Sequence, residues 1–242
     1  MKGIKNEWSF YSLGDHAIVF SLAAKMDVQI LQKIKHLNEF ISAKKMSGML
    51  ELIPSYHSLT MVYDITNFLS STEPASTQLL NFCNNIIVEF ENYLMEQKNI
   101  QSTLYKVPVC YEKIFGIDLE NISKTNQISC ADIIQIHTAF EYDVYSIGFL
   151  PGFTYMGVVD DKIKINRHDK PRNEVSAGSV GIAGLQTGIY PSNSPGGWQI
   201  IGRTPWKIFD PNPNKLAKFK VGDRVQFYAI SKQEFDSLNE YN

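Results

Sequence analysis

The 242-residue sequence contains few cysteines, little net charge and no long apolar run. Its three cysteines are too few and too widely spaced to indicate a disulfide framework or a zinc site. A formal net charge of -2, without a cluster of Lys or Arg, gives no electrostatic footprint for nucleic acid or an anionic membrane surface. No segment approaches the roughly 20 apolar residues that cross a bilayer, and no apolar stretch follows the charged opening residues. We therefore expect a cytoplasmic protein that binds neither nucleic acid nor membrane.

Several familiar catalytic and cofactor motifs are also missing. There is no G-x-x-x-x-G-K-[ST] phosphate loop, no G-x-G-x-x-G and no G-x-S-x-G nucleophile elbow. No Cys/His cluster has the spacing of metal ligands. The lysine tetrapeptide flanked by methionines that carries biotin in carboxylases is absent as well. The sequence therefore predicts no metal site and no biotin attachment site in this chain.

Glycine is abundant in one part of the chain. Ten of the fifteen glycines lie between Gly148 and Gly202. Because glycine and proline serve tight turns, bulges and close backbone approaches, this shift in composition marks a change of architecture.

Residues 1–100 predict a small α+β domain. Apolar alternation indicates strands at residues 8–11, 17–22, 49–53 and 59–63, with an amphipathic helix after the second and after the fourth. The apolar stripes of the two helices are Ile30, Ile34, Leu37 and Ile41, and Leu79, Phe82, Cys83, Ile86, Phe90 and Tyr93. Strand, helix, two strands and helix form the skeleton of a ferredoxin-like unit.

Residues 101–242 predict an all-β barrel or sandwich. A strand is indicated at residues 104–111 and another at 225–230, and Ser129-x-x-Asp132 is a helix-start signal. Between them lie short apolar stretches broken by glycine, which is typical of many short strands joined by tight turns.

The glycine-rich block at residues 176–191 is the first candidate for a binding surface. Successive backbone N–H groups that lack a neighbouring Cβ can approach an anion or a carbonyl closely. The alternative is that these glycines only permit sharp barrel corners. Taken as a block, the segment favours a ligand-facing surface. Its candidate binding residues are Gly178, Ser179, Gly184, Gln186 and Thr187.

Two arginines and one tryptophan offer further binding chemistry. Arg203 and Arg172 each carry a planar fork of donors suited to carboxylate or phosphate. Either one alone is more often a solvated or salt-bridged residue. Trp198, after two glycines, is either a core anchor or the wall of a pocket.

His137 is a candidate for proton transfer. It shares a helical face with Ile133 and Ile134, so we expect it to point inward. Spacing alone favours a hydrogen-bonded core histidine, but an imidazole that titrates near neutrality can also move protons. Tyr190 is a second candidate. We interpret His168 as a surface loop residue.

Three long motifs resemble one known family. Residues 145–157 resemble its G-F-x-P-G-F-x-Y-L-G signature, residues 177–191 match A-G-S-V-G-I-A-G-x-Q-T-G-I-Y-P, and residues 194–204 match S-P-G-G-W-x-x-I-G-R-T. Weaker similarity extends towards both ends. The family is that of the small B-type subunits of bacterial 5-oxoprolinase, also described as KipI-like or allophanate hydrolase subunit 1.

The resemblance implies a small N-terminal α/β domain and a cyclophilin-like β-barrel. It also implies a hydrolase subunit that works with a C-type (KipA-like) and an A-type partner in the ATP-dependent opening of 5-oxoproline to L-glutamate. Because the chain has no nucleotide motif, we expect ATP to be bound with partner subunits and the chain to be inactive alone. The candidate catalytic residues are His137, Arg172, Tyr190 and Arg203. The signature adds Pro151 and Gly152 to the candidate binding residues.

Other functions remain open at the level of sequence. The family resemblance also allows an inhibitor that docks on a sensor histidine kinase, or a carboxyltransferase-type subunit of an allophanate- or urea-degrading complex. Prolyl isomerase activity is suggested only by analogy between barrels and ranks last, since a fold carries no active site by itself.

Overall fold

A computed structural model describes residues 1–68, 73–96, 102–212 and 216–239. The chain divides into two compact units, Met1–Gln101 and Ser102–Asn242. The predicted domain boundary at residues 100 and 101 lies outside the described residues.

The first unit is an antiparallel five-stranded sheet with helices. Its strands are β1 (Lys2–Lys5), β2 (Trp8–Ser12), β3 (Ala17–Ser21), β4 (Met49–Ser55) and β5 (Ser58–Tyr63). Its helices are α1 (Val28–Ala43), the short α2 (Ile65–Phe68) and α3 (Ala75–Glu96). The sheet order is β1-β2-β3-β5-β4.

The four strands and the two long helices that apolar periodicity predicted are present, and β1 is a further strand that it did not predict. Ile34, Leu37 and Ile41 of the predicted α1 stripe are fully buried together with Leu31, whereas Ile30 is only partly buried. Helix α1 starts where the Asp27 carboxylate accepts hydrogen bonds from the Gln29 and Ile30 amides at 2.9 and 3.3 Å, which satisfies two orphan donors of the first turn.

The topology of the first unit differs in one respect from a βαββαβ unit. The succession β3-α1-β4-β5-α3 contains the predicted strand, helix, two strands and helix. In a βαββαβ unit the fourth strand follows the second helix in the chain. Here the strand beside β3 is instead β2, which precedes β3 in the chain. The finer ferredoxin-like assignment therefore stays a prediction.

The second unit contains a closed barrel, as predicted. Its strands, in barrel order, are β10 (Ser179–Ala183), β11 (Gln186–Ile189), β8 (Thr154–Gly157), β7 (Glu141–Ile147), β14 (Arg224–Ile230), β6 (Leu104–Cys110) and β13 (Gln199–Arg203). The pair β6–β14 is parallel, and the other neighbours are antiparallel. Outside the barrel, β9 (Arg172–Val175) pairs with β12 (Ser194–Gly196).

The expectation of an all-β unit is only partly correct, because three α-helices accompany the barrel. They are α4 (Leu119–Asn126), α5 (Cys130–Ala139) and α6 (Lys232–Asn239), together with a 3-10 turn at Asp161–Ile163. The helix-start signal was correct: the Ser129 hydroxyl accepts a hydrogen bond from the Asp132 amide at 3.0 Å. Helices α4 and α6 are each only eight residues long and rich in polar residues, so few apolar side chains mark them in the sequence.

Side chains from the barrel strands form one continuous apolar core. Buried residues of β6, β7, β10 and β14, among them Val107, Val144, Ile182 and Phe227, pack together there. Since burial of such side chains is the main stabilising contribution to a fold, the barrel is a packed support for features on its outside.

Candidate functional site

A small apolar cluster outside the main barrel core contributes to the lining of two pockets. It consists of Phe153, Val175, Tyr190 and Ile200, which are at most 4% exposed. Phe153 and Tyr190 line one pocket, here called the aromatic pocket. Val175 and Ile200 line the other, here called the arginine pocket. The two pockets therefore share one supporting wall.

The aromatic pocket has a volume of about 270 Å³. The Phe153 ring contacts three other rings that line the pocket. Its centroid lies 4.8 Å from that of Tyr155, 5.1 Å from that of Tyr190 and 5.3 Å from that of Trp198, each in edge-to-face geometry. Such contacts fix the rings relative to one another. The pocket is lined by Phe149, Phe153, Tyr155, Arg167, Pro171, Tyr190, Pro195, Gly196, Gly197 and Trp198.

A tight turn between β7 and β8 carries Phe149 to the wall of this pocket. Phe149 has a φ of +69° and is 64% exposed. A bulky side chain in the left-handed region costs about 1–2 kcal/mol, and such strain concentrates at functional sites. The turn is closed by hydrogen bonds from Gly148 N–H to Phe153 O at 3.1 Å and from Phe153 N–H to Leu150 O at 2.9 Å.

The predicted binding residues Pro151 and Gly152 lie in the same turn but do not line either pocket. Pro151 is exposed. Gly152 has a φ of +84°, and a Cβ there would lie 2.9 Å from Cβ of Phe209. Their geometry serves the turn that positions Phe149 and Phe153.

Tyr190 and Trp198 meet at the glycine pair of the S-P-G-G-W motif. A Cβ at Gly196 would lie 2.5 Å from the Tyr190 hydroxyl oxygen, so only glycine fits beside the phenol. Burial raises the pKa of Tyr190, while a backbone hydrogen bond from Trp198 and the positive charge of Arg172 oppose this rise. Tyr190 is therefore protonated at neutral pH and can donate a hydrogen bond. Trp198 is a pocket wall, one of the two alternatives that the sequence left open.

The arginine pocket has a volume of about 320 Å³. Arg203 lies there with its Nε donating to Ala177 O at 2.7 Å and its guanidinium carbon 5.8 Å from the ring centroid of Phe115. Burial lowers the pKa of Arg203. The pocket is lined by Ile114, Phe115, Ile117, Arg172, Glu174, Val175, Ser176, Ser179, Ile200 and Arg203.

Arg172 is anchored on a carboxylate that the sequence analysis missed. Its Nη2 donates to Asp118 Oδ1 at 2.5 Å, and the Ile200 amide donates to Asp118 Oδ2 at 2.6 Å. Within the described part of the chain, Arg172 Nη1 is buried and has no hydrogen-bond partner. His168 Nε2 lies 3.4 Å from Asp118 Oδ1, so His168 is less peripheral than a surface loop residue. An orphaned guanidinium N–H beside a pocket is suited to an anionic ligand.

His137 lies in the barrel core and lines neither pocket. It is 0% exposed, which confirms that it points inward. The Tyr111 hydroxyl lies 2.8 Å from Nδ1, and the Thr187 hydroxyl oxygen lies 2.9 Å from Nε2. Because the Thr187 hydroxyl donates to Gly181 O at 3.1 Å, we assign the ring proton to Nε2, with Nδ1 accepting from Tyr111. Burial lowers the pKa of His137 to about 3. This geometry matches the core histidine favoured by the helical spacing, and His137 is separated from both pockets.

The other predicted binding residues of the glycine-rich block are divided among different places. Ser179 lines the arginine pocket, and Thr187 is buried in the core beside His137. Gly184 and Gln186 belong to the β10–β11 hairpin, where Gly184 adopts a φ of +60°. Gly178 adopts a φ of +81° next to the Arg203 side chain, and a Cβ at this position would clash with the Thr204 carbonyl oxygen. The block therefore supplies corners and core contacts, and its residues Ser179 and Tyr190 line the two pockets.

Over the described ranges, no three His, Cys, Asp or Glu side chains are grouped to hold a metal ion. None of the helices seen in these ranges is both long and apolar enough to cross a membrane.

Comparisons with known proteins cover nearly the whole chain. Residues 8–219 match the family described as carboxyltransferase domain, subdomain C and D. The B-type subunit of 5-oxoprolinase from Bacillus subtilis strain 168 is 36% identical over 228 residues, which are 94% of this chain and 95% of that protein. A solved structure of a conserved uncharacterized protein from Pyrococcus horikoshii is 35% identical, with a TM-score of 0.54, over 93% of this chain and 99% of that one.

A weaker similarity extends to a much larger enzyme. The urea amidolyase of Lachancea kluyveri is 26% identical over 266 residues, and the match covers 96% of this chain but 14% of that protein. This chain therefore corresponds to a small part of the larger enzyme.

Proposed function

Because the chain belongs to the carboxyltransferase subdomain C and D family, and within it to the B-type subunits of 5-oxoprolinase, we propose that it is a subunit of an ATP-dependent 5-oxoprolinase. Such an enzyme opens 5-oxo-L-proline to L-glutamate. The proposal is carried by the 36% identity to a 5-oxoprolinase B-type subunit over 94% of this chain. The three sequence motifs supply eight of the ten residues that line the aromatic pocket and three of the ten that line the arginine pocket.

The chemistry of lactam opening agrees with the contents of the two pockets. An amide is a poor electrophile, and ATP supplies the phosphoryl group that activates its oxygen. Negative charge that develops during such a step requires preorganised cationic or N–H donors. Arg203, the unpartnered Nη1 of Arg172 and the hydroxyl of Ser179 provide them at the arginine pocket. These residues fit an anionic group, and we assign them to charge stabilisation.

Proton donation falls to Tyr190 rather than to His137. Tyr190 lines the aromatic pocket, and its raised pKa keeps the phenol protonated. His137 is fully buried, and both of its ring nitrogens have partners in the barrel core. We therefore assign proton donation to Tyr190 and a structural role to His137.

The chain supplies only part of the complete catalytic machinery. Its relatives are named as subunits, and the sequence carries no nucleotide-binding loop. We propose that it works with a C-type and an A-type subunit, that ATP binds with their help, and that the chain is inactive alone. We also propose that the barrel is cyclophilin-like and that the complex is cytoplasmic.

Reconstitution tests this proposal. The chain is co-expressed with its C-type and A-type subunits, and ATP-dependent glutamate formation from 5-oxo-L-proline is measured. We expect activity in the complete complex and a loss of about 100-fold in an Arg203→Gln variant, the magnitude typical for one charge-stabilising donor. Arg224→Gln is the matched control, because Arg224 pairs with Glu141 away from both pockets. A complete, correctly assembled complex that forms no glutamate would refute the function.

The similarity to urea amidolyase supports one alternative function. That match covers 96% of this chain, which favours transfer of a carboxyl group as a second candidate. Under this alternative, a complex supplied with a biotin-dependent carboxylase would carboxylate urea and leave 5-oxo-L-proline untouched. The two substrates, tested in parallel, separate the candidates.

A further inference from the structure

The aromatic pocket contains one cation that neither the sequence motifs nor the proposed function has used. Arg167 lines this pocket and is exposed. Among the residues that the structure describes, Arg167 has no ion pair or hydrogen bond, whereas Arg172 and Arg203 are both held by protein groups. A guanidinium without a protein partner, at the edge of an apolar pocket, is available to a ligand carboxylate.

The backbone on both sides of Arg167 is anchored. The Gln199 side-chain amide donates to Asn166 O at 3.1 Å, and the His168 amide donates to Gly197 O at 2.7 Å. Gln199 is itself held by the side-chain amide of Asn121 at 3.0 Å. Because these bonds fix the chain immediately before and after Arg167, its side chain starts from a defined position beside the pocket. Such preorganisation reduces the entropy lost on binding.

The pocket walls define the rest of the ligand. Five aromatic rings surround a volume of about 270 Å³, which suits a small ring with apolar faces. The glycine pair Gly196 and Gly197 also lines the pocket, with Gly196 packed against the Tyr190 phenol. One cation at the rim of the pocket matches one carboxylate.

We infer that the aromatic pocket binds the five-membered lactam ring of the substrate and that Arg167 holds its carboxylate. This inference rests on the proposed 5-oxoprolinase function. The aromatic pocket and the arginine pocket share the cluster formed by Phe153, Val175, Tyr190 and Ile200. Tyr190, which belongs to that cluster, would contact the lactam.

Calorimetric titration tests the inference on the full chain, alone and in the co-expressed complex. The ligands are 5-oxo-L-proline, 2-pyrrolidinone, which has the same ring without the carboxylate, and ATP. We expect Arg167→Gln to weaken 5-oxo-L-proline binding by about 10- to 100-fold, as for the loss of one charge-assisted hydrogen-bond pair, and to leave 2-pyrrolidinone binding unchanged. Lys170→Gln is the matched control, because it removes a nearby exposed charge that does not line the pocket.

Three results would overturn the inference. They are equal binding of 5-oxo-L-proline by the wild type and Arg167→Gln, absence of binding in both preparations, or displacement of 2-pyrrolidinone by ATP. Circular dichroism verifies that each variant is folded. If the wild-type complex forms glutamate and Arg167→Gln leaves its KM unchanged, the subsite is wrong and the proposed function stands. If the wild-type complex forms no glutamate, the proposed function fails whatever the titration shows.

Discussion

Protonation of the buried His137 should destabilise the barrel in mild acid. Burial lowers its pKa from 6.5 to about 3 in the folded chain. Below pH 6.5 the unfolded chain therefore takes up a proton at this ring, whereas the folded chain does not until the pH approaches 3. Stability is lost as the pH falls through this range. The loss approaches about 1.4 kcal/mol per pH unit once the unfolded imidazole is protonated, and it amounts to about 2 kcal/mol between pH 6.5 and 4.5.

The measurement is denaturant unfolding at pH 7.0, 5.5 and 4.5, followed by tryptophan fluorescence. In a Trp8→Phe background the remaining tryptophans, Trp198 and Trp206, both lie in the second unit, so the signal reports on that unit. A His137→Gln variant cannot titrate at this position. We expect it to be less stable at pH 7, because it loses the bonds to Tyr111 and Thr187, and to show a shallower dependence on pH.

The difference in slope between the two proteins isolates the imidazole from the carboxylates that also titrate in this range. His16→Gln serves as a control, because His16 is exposed and its replacement should leave the slope unchanged. Equal slopes for the wild type and His137→Gln between pH 6.5 and 4.5 would refute the reasoning. Such a result would mean that the folded barrel accepts the proton without cost.

Three further substitutions test the geometry of the pockets. Gly178→Ala should lower the free energy of unfolding by more than Gly184→Ala. Both variants place an alanine in the left-handed region, which costs about 1–2 kcal/mol, but only at Gly178 does the added Cβ meet a carbonyl oxygen. Equal losses in denaturant unfolding would contradict the predicted clash. Asp118→Asn should cost about 3 kcal/mol in the same assay, because it leaves the Arg172 guanidinium without its anionic partner, and an unchanged midpoint would show that the pair is dispensable. Tyr190→Phe should lower kcat of the complex by about 100-fold with the fold retained, and a loss below about 3-fold would exclude its role as a donor.

Much of the secondary structure was predictable because local periodicity was strong. The stripe of Ile34, Leu37 and Ile41 identified a helix, and Ser129 identified the start of another. Helices α4 and α6 were not predicted, because few apolar side chains mark their buried faces. Glycine distribution and short strands indicated a barrel or a sandwich, and only the family resemblance implied a barrel, because closure depends on pairings between distant segments, which spacing cannot reveal.

The site was predictable in its segments and less so in its individual roles. The three motifs contain most of the residues that line the aromatic pocket, whereas most of those that line the arginine pocket lie outside the motifs. Asp118 was missed because nothing in its local sequence distinguishes it from a surface acid, and its partner Arg172 comes from a distant strand. Phe149 was missed because a left-handed backbone at a bulky residue has no composition signal. The role of His137 depended on Tyr111 and Thr187, which only the fold brings to the ring.

The parallel pairing of β6 with β14 places the first and last strands of the barrel side by side, with Leu104 opposite Arg224 and Cys110 opposite Ile230. During synthesis, β6 therefore leaves the ribosome long before its partner exists, and the β6 edge stays open while nearly all of the second unit is made. An open strand edge is a template for pairing with other chains. Contacts this distant in sequence also form slowly, because loop closure must come first. Removal of β14 would thus leave two unpaired edges in an incomplete sheet, and we expect such a truncated chain to aggregate and to form neither pocket.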